Sequence, residues 1–213
     1  MFNLNEDFWL VGGPAGTGFI PELQKHGMGH KVVDMCKKDS IIKQLSKNEY
    51  NVCVILNVHS GGNDTQLTEN PALQKYLKKW MGEGGKLFIH GEGKCLNILS
   101  EFLGEENRWK YESYFRTEHT LAPNALLINC TLPSTYNVKS ALVGGVAEAD
   151  RVYATQEGAT TQSAVFFMGG QKIESGLTTM AFTAVGEGRL GFIGDVNGES
   201  HTIKAVIELA VNG

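Results

Sequence analysis

The chain has 213 residues, 42% of them apolar and 20% charged, enough for one domain whose core needs neither disulfides nor a structural metal. Nineteen basic against 23 acidic residues give a formal charge of −4 with no long run of either sign, which excludes a nucleic-acid footprint. No apolar stretch is long enough to span a bilayer, which argues against a membrane partner.

The opening MFNLNEDFWLVGG carries acidic residues and lacks the basic n-region of a signal peptide. Cys36, Cys53, Cys95 and Cys130 form no CxxC or CxxH pair, so neither a zinc knuckle nor a secreted disulfide framework is expected. Together these features predict a single cytoplasmic domain over residues 1–213.

In chain order, Phe8 to Val11 reads as a first strand ended by glycines, and Pro21 opens a short helix stopped by Gly27. Lys31 to Val33 is a second strand, and Asp39-Ser40 caps a helix with Ile41, Ile42 and Leu45 on one face. The run Val52 to Leu56 has the uninterrupted apolar character of a central strand covered on both faces. Asn70-Pro71 starts a helix with Leu73, Tyr76, Leu77 and Trp80 at helical spacing, and Lys86 to Ile89 is the next strand. Past Gly91-Glu92-Gly93 the chain turns sharply into a helix over 94–103.

From Trp109 the texture changes to short segments split by turn residues, around Tyr111 to Phe115, Val152-Tyr153, Val165 to Phe167 and Met180 to Ala184, as in antiparallel strands. Gly188 to Ile193 is the last strand, and Thr202 to Val211 an amphipathic helix. Trp109, Tyr111, Tyr114 and Phe115 with Arg116 and His119 could wall a sugar-like ligand, but strand alternation expects the same residues for packing.

The stretch Gly84 to Gly93, GGKLFIHGEG, and the stretch from Gly186 through Glu199, with the glycine turn after the first strand, resemble the class I glutamine amidotransferase-like superfamily, nearest its ThuA-like branch. The resemblance implies a flavodoxin-like three-layer α/β sandwich: a mostly parallel sheet, here with an antiparallel extension in the second half, and a site at the carboxyl ends of the strands. The chain departs from the superfamily at the elbow, where Gly91 stands in the place of the nucleophilic cysteine, and no His-Pro-Glu follows Phe192. Glutamine hydrolysis is therefore not implied.

In such a sheet the polar residues just past the strands are the candidates for chemistry. His90, Glu92, Asp195 and His201 are candidate acid, base or catalytic groups, and Gly13, His59, Asn63, Asp64, Asn197 and Glu199 candidate ligand contacts. Imidazoles and carboxylates in this number could hold a divalent metal, yet the spacing matches no metal signature, and no cofactor motif is present. The same residues also fit a polar rim of helix caps.

The leading expectation is a protein that binds a small polar, sugar-like ligand without a covalent nucleophile, any catalysis being hydrolase-like. Two alternatives stand beside it. One is an amidase or peptidase using Cys95, at the start of a helix where the thiol would be acidified, with His201 as base. The other is a non-catalytic structural module or component of a homo-oligomer.

Overall fold

A computed structural model describes residues 8–11, 18–33, 42–43, 46, 50–58, 70–91, 95–104, 109–162 and 170–213. Its first half alternates strands and helices: β1 (Phe8–Val11), α1 (Phe19–Lys25), β2 (His30–Val33), β3 (Val52–Val58), α2 (Pro71–Gly82), β4 (Lys86–Gly91) and α3 (Cys95–Leu103). The second half is mainly strands: β5 (Lys110–Leu121), β6 (Thr135–Gly144), β7 (Arg151–Ala154), β8 (Thr178–Val185) and β9 (Gly188–Ile193), followed by α4 (Ser200–Asn212).

These nine strands form one sheet in the order β2-β1-β3-β4-β9-β8-β6-β5-β7, with a further pairing between β8 and β7. The strands at Phe8, Val32, Val54, Phe88 and Phe192 pair in parallel. Continuous apolar runs are what such strands need, because both faces are covered. Cys53, Ile55, Leu87 and Ile89 pack on one side with Leu73, Leu77 and Trp80 of α2 and Leu96 and Leu99 of α3. Val52, Val54, Leu56 and Phe88 pack on the other with Phe19 and Leu23 of α1 and Val206, Leu209 and Ala210 of α4. Each fully buried aliphatic side chain contributes about 1.5–3 kcal/mol from leaving water.

Local chemistry sets the helix boundaries. The Asn70 side chain accepts from the Leu73 backbone N–H at 3.1 Å and Pro71 occupies the first turn of α2, as its sequence predicts. Pro21 is instead the third residue of α1, which begins at Phe19. That is still within the first turn, where the missing N–H has no intrahelical acceptor to lose.

The expected flavodoxin-like sandwich is corrected by the pairing of the second half. Strands β5, β6, β7 and β8 are antiparallel, and short β7 pairs with both β5 and β8, so the four strands close into a barrel. With β8 also antiparallel to β9, five of the nine pairings among the described strands are antiparallel. The molecule is thus not a mostly parallel three-layer α/β sandwich with an antiparallel edge. The cause is visible in β6, whose residues alternate between exposed and buried from Thr135 to Ser140, a pattern suited to a wall with one face inward and one in water. Closure removes the free edges that an open antiparallel extension would expose.

β9 joins the two regions, parallel to β4 on one side and antiparallel to β8 on the other. Glycine makes this possible at two points. A Cβ on Gly191 would lie 2.3 Å from the Phe88 ring, and one on the following Gly194 would lie 2.1 Å from the Ala141 carbonyl oxygen. The Gly194 carbonyl accepts from Ala141 N at 2.9 Å and its N–H donates to the Thr179 carbonyl at 2.9 Å, so the end of β9 is threaded into the barrel wall.

Candidate functional site

Just beyond β9, residues 195–199 turn into α4 beside the carboxyl end of β4. Asp195 organises this turn. Its side chain is buried, with Oδ1 accepting from the Asn197 N–H at 2.8 Å and Oδ2 accepting from the Glu199 N–H at 2.7 Å. Oδ2 also accepts from the Thr202 hydroxyl, which in turn accepts from the Tyr136 hydroxyl. Burial, followed by the negative field of Asp195, pushes the Tyr136 phenol well above its ordinary range, so it stays protonated and acts as a donor. The Asp195 carboxylate is therefore spent on two backbone amides and one hydroxyl, the work of an anchor that shapes a loop.

The loop brings its remaining polar groups to two neighbours. His90, buried at the end of β4, donates from Nε2 to the Asp195 backbone carbonyl. Glu199 faces β5, where Arg116 Nη2 donates to its Oε1 at 2.6 Å with both side chains about a third exposed. Arg116 Nη1 donates to Asn137 Oδ1 at 3.1 Å, Asn137 Nδ2 donates to Gln162 Oε1 at 2.7 Å, and Asn197 Nδ2 reaches Glu199 Oε1 at 3.4 Å. Parallel half and barrel thus meet in a half-exposed cluster of one cation, one carboxylate and three amides.

Of the sequence candidates, His90, Asp195, Asn197 and Glu199 come together in this way. His201 stands on α4 and lines a different groove, facing α1, whose lining does not include His90. Gly13, His59, Asn63, Asp64 and Glu92 lie outside the described residues, as do Val165 to Phe167. Cys95 is the first residue of α3. Among the described residues no group of three His, Cys, Asp or Glu side chains is placed to hold a metal.

Asn137, Gln162, Tyr136 and Thr202 are the members that motif reasoning passes over, while Arg116 is named there beside the aromatic residues that could wall a ligand. Arg116 and Asn137 carry one available signal: on β5 and β6 they occupy the alternate positions that point away from the buried face. The aromatic residues near Arg116 divide between roles. Trp109 packs edge-on against Phe192 at 6.5 Å, Tyr111 is exposed, and Tyr114 lies under the Lys139 ammonium at 5.1 Å.

No family model matches the chain, and no curated protein matches it in sequence. Solved structures share its fold at low identity. The β-galactosidase of Bacillus circulans sp. alkalophilus matches with a TM-score of 0.57 at 8% identity over 98% of this chain, and that of Rahnella sp. R3 with 0.56 at 11% over 97%. The chain spans only 31% of the length of each of these enzymes. A protein of Thermoplasma acidophilum assigned as a GMP synthase subunit matches with 0.52 at 10% identity, over 96% of this chain and 92% of that one. Among the described residues no helix is long and apolar enough to cross a membrane.

Proposed function

We propose that the protein binds a small polar, sugar-like ligand without forming a covalent bond to it, where the 195–199 loop meets the end of β4 and the middle of β5. The observation that carries this reading is the half-exposed Arg116, Glu199, Asn137 and Asn197 cluster, held in place by the buried Asp195 anchor. A planar guanidinium, a carboxylate and amides offer both donors and acceptors at fixed positions, which is what the hydroxyls of a carbohydrate require. The covalent alternative has less support, because its proposed base, His201, lines the groove facing α1. The resemblance to the amidotransferase-like superfamily, without its elbow cysteine, belongs to the same reading, as does a cytoplasmic location.

The names of the solved enzymes that share the fold make galactose and a β-galactoside the first probes. Calorimetric titration is expected to give saturable binding that Arg116→Ala weakens by about tenfold or more, the loss expected of one charge-assisted contact. Binding that Arg116→Ala leaves unchanged, or no binding across a panel of monosaccharides and their glycosides, would overturn the reading.

A non-catalytic module is the second reading. It is favoured by one observation: almost the whole chain matches about a third of each β-galactosidase, so this fold also occurs as one part of larger proteins.

A further inference from the structure

A concavity of about 320 Å³ opens between α1, the segment Thr131 to Pro133 and the first turns of α4. Its size falls at the lower end of the range for small-molecule sites. The lining has two kinds of surface. Leu132 and Pro133 with Ala205 and Ile207 give an apolar wall, while Lys25, His26, His201 and Lys204 give basic or protonatable groups.

Two carboxylates, Glu22 and Glu208, also reach this groove, and both are engaged by the protein itself. Glu22 Oε1 accepts from Lys25 Nζ at 3.3 Å and His26 Nε2 at 3.2 Å. Burial alone would raise the Glu22 carboxyl, but these hydrogen bonds and the charges of Lys25 and Lys204 outweigh it and hold the group below its ordinary range. Glu208 Oε1 accepts from the Thr131 N–H at 2.7 Å and from Asn212 Nδ2 at 2.9 Å, pinning the 131–133 segment to α4. Lys25 is taken up in its pair with Glu22.

Lys204 and His201 are different. Three residues apart on α4, they sit on one helix face, and neither makes a hydrogen bond or ion pair among the described residues. We propose that this groove binds a small amphiphilic organic anion, with its charged group at Lys204 and His201 and its apolar body against Leu132 and Pro133. Glu22 and Glu208 remain charged but are held by their own partners, and the charge of Glu22 is balanced by Lys25, whereas the hydrogen-bond donors of Lys204 and His201 are unused among the described residues.

The site is separate from the proposed polar-ligand site and does not depend on it. The probe is the fluorescent sulfonate 8-anilinonaphthalene-1-sulfonate, followed by emission, with octanoate as a carboxylate competitor. Saturable one-to-one binding is expected, displaced by octanoate and weakened about tenfold or more by Lys204→Glu combined with His201→Ala. Both positions are exposed, so the double variant should fold normally. Lys204→Arg should retain most of the affinity, since it keeps the charge. Asn137→Ala, an exposed change at the other site, should leave this binding intact. Undiminished binding by the double variant, or the absence of saturable binding by the wild type, would overturn the proposal whatever the outcome with galactosides.

Discussion

Among the described residues, the two halves of the molecule bury one histidine each and treat it in opposite ways. His90, at the end of β4 in the parallel half, donates to the Asp195 carbonyl and so helps tie β4 to the loop beyond β9. His119, in the barrel strand β5, is completely buried opposite Tyr136, and among the described residues neither ring nitrogen makes a well-formed hydrogen bond, though backbone groups of Tyr136 and Thr117 lie close. Burial drives its pKa from the ordinary 6.5 down to about 4, although nearby backbone groups of Tyr136 and Thr117 pull the other way. The parallel half uses its polar core residue to hold the 195–199 loop in place. The barrel carries its own as a cost to stability, because an imidazole whose hydrogen bonds are poorly formed gains little from burial beyond packing.

If β9 welds the halves into one cooperative unit, the largest effect should come from a side chain that spans the weld. Phe182 of β8 is fully buried and stacked on Phe88 of β4 with ring centroids 5.6 Å apart. Phe182→Ala should cost about 3–5 kcal/mol in a denaturant titration, with far- and near-ultraviolet dichroism still changing together. Separate transitions for the two signals would show that the halves unfold independently.

The buried barrel histidine predicts the next effect. With its folded pKa depressed, His119 takes up a proton in the unfolded chain first, so stability is full above pH 6.5 and falls as the pH drops toward 4. The loss attributable to this residue is about 3 kcal/mol and should disappear in His119→Leu, measured by urea unfolding at several pH values. A variant with the same acid sensitivity as the wild type would place the cause elsewhere.

At the seam, Gly194→Ala should destabilise by about 2–3 kcal/mol, because the new methyl group meets the Ala141 carbonyl at 2.1 Å and the obstacle is backbone. A change below about 0.5 kcal/mol would mean that β6 and β9 can move apart. Asp195→Asn should cost about 1–2 kcal/mol, since an amide has one acceptor oxygen where the carboxylate uses two. A thermally neutral Asp195→Asn would return this residue to the role of a free functional carboxylate.

The parallel half was readable because its signal is local. Val52 to Leu56 and Lys86 to Ile89 declare buried strands by composition, and Asn70-Pro71 declares a helix start by capping chemistry. The barrel was readable only as a set of strands. Its closure depends on four residues, Arg151–Ala154, pairing with two partners distant in sequence, and no periodicity encodes that. The site divides in the same way. His90 and the 195–199 stretch were found because they follow apolar strands, whereas Tyr136 and Thr202 were not, since their value lies in a hydrogen-bonded chain that exists only once β6 and α4 are packed together.

The central claim is that the loop anchored by Asp195 forms a ligand site at the seam between the halves. Amide chemical shifts recorded by heteronuclear NMR while a β-galactoside is titrated test it most directly. The account predicts saturable shifts concentrated at residues 195–199, Arg116 and Asn137, with the groove residues around Lys204 unmoved. Shifts confined to other parts of the molecule, or none at saturating galactoside, would contradict it.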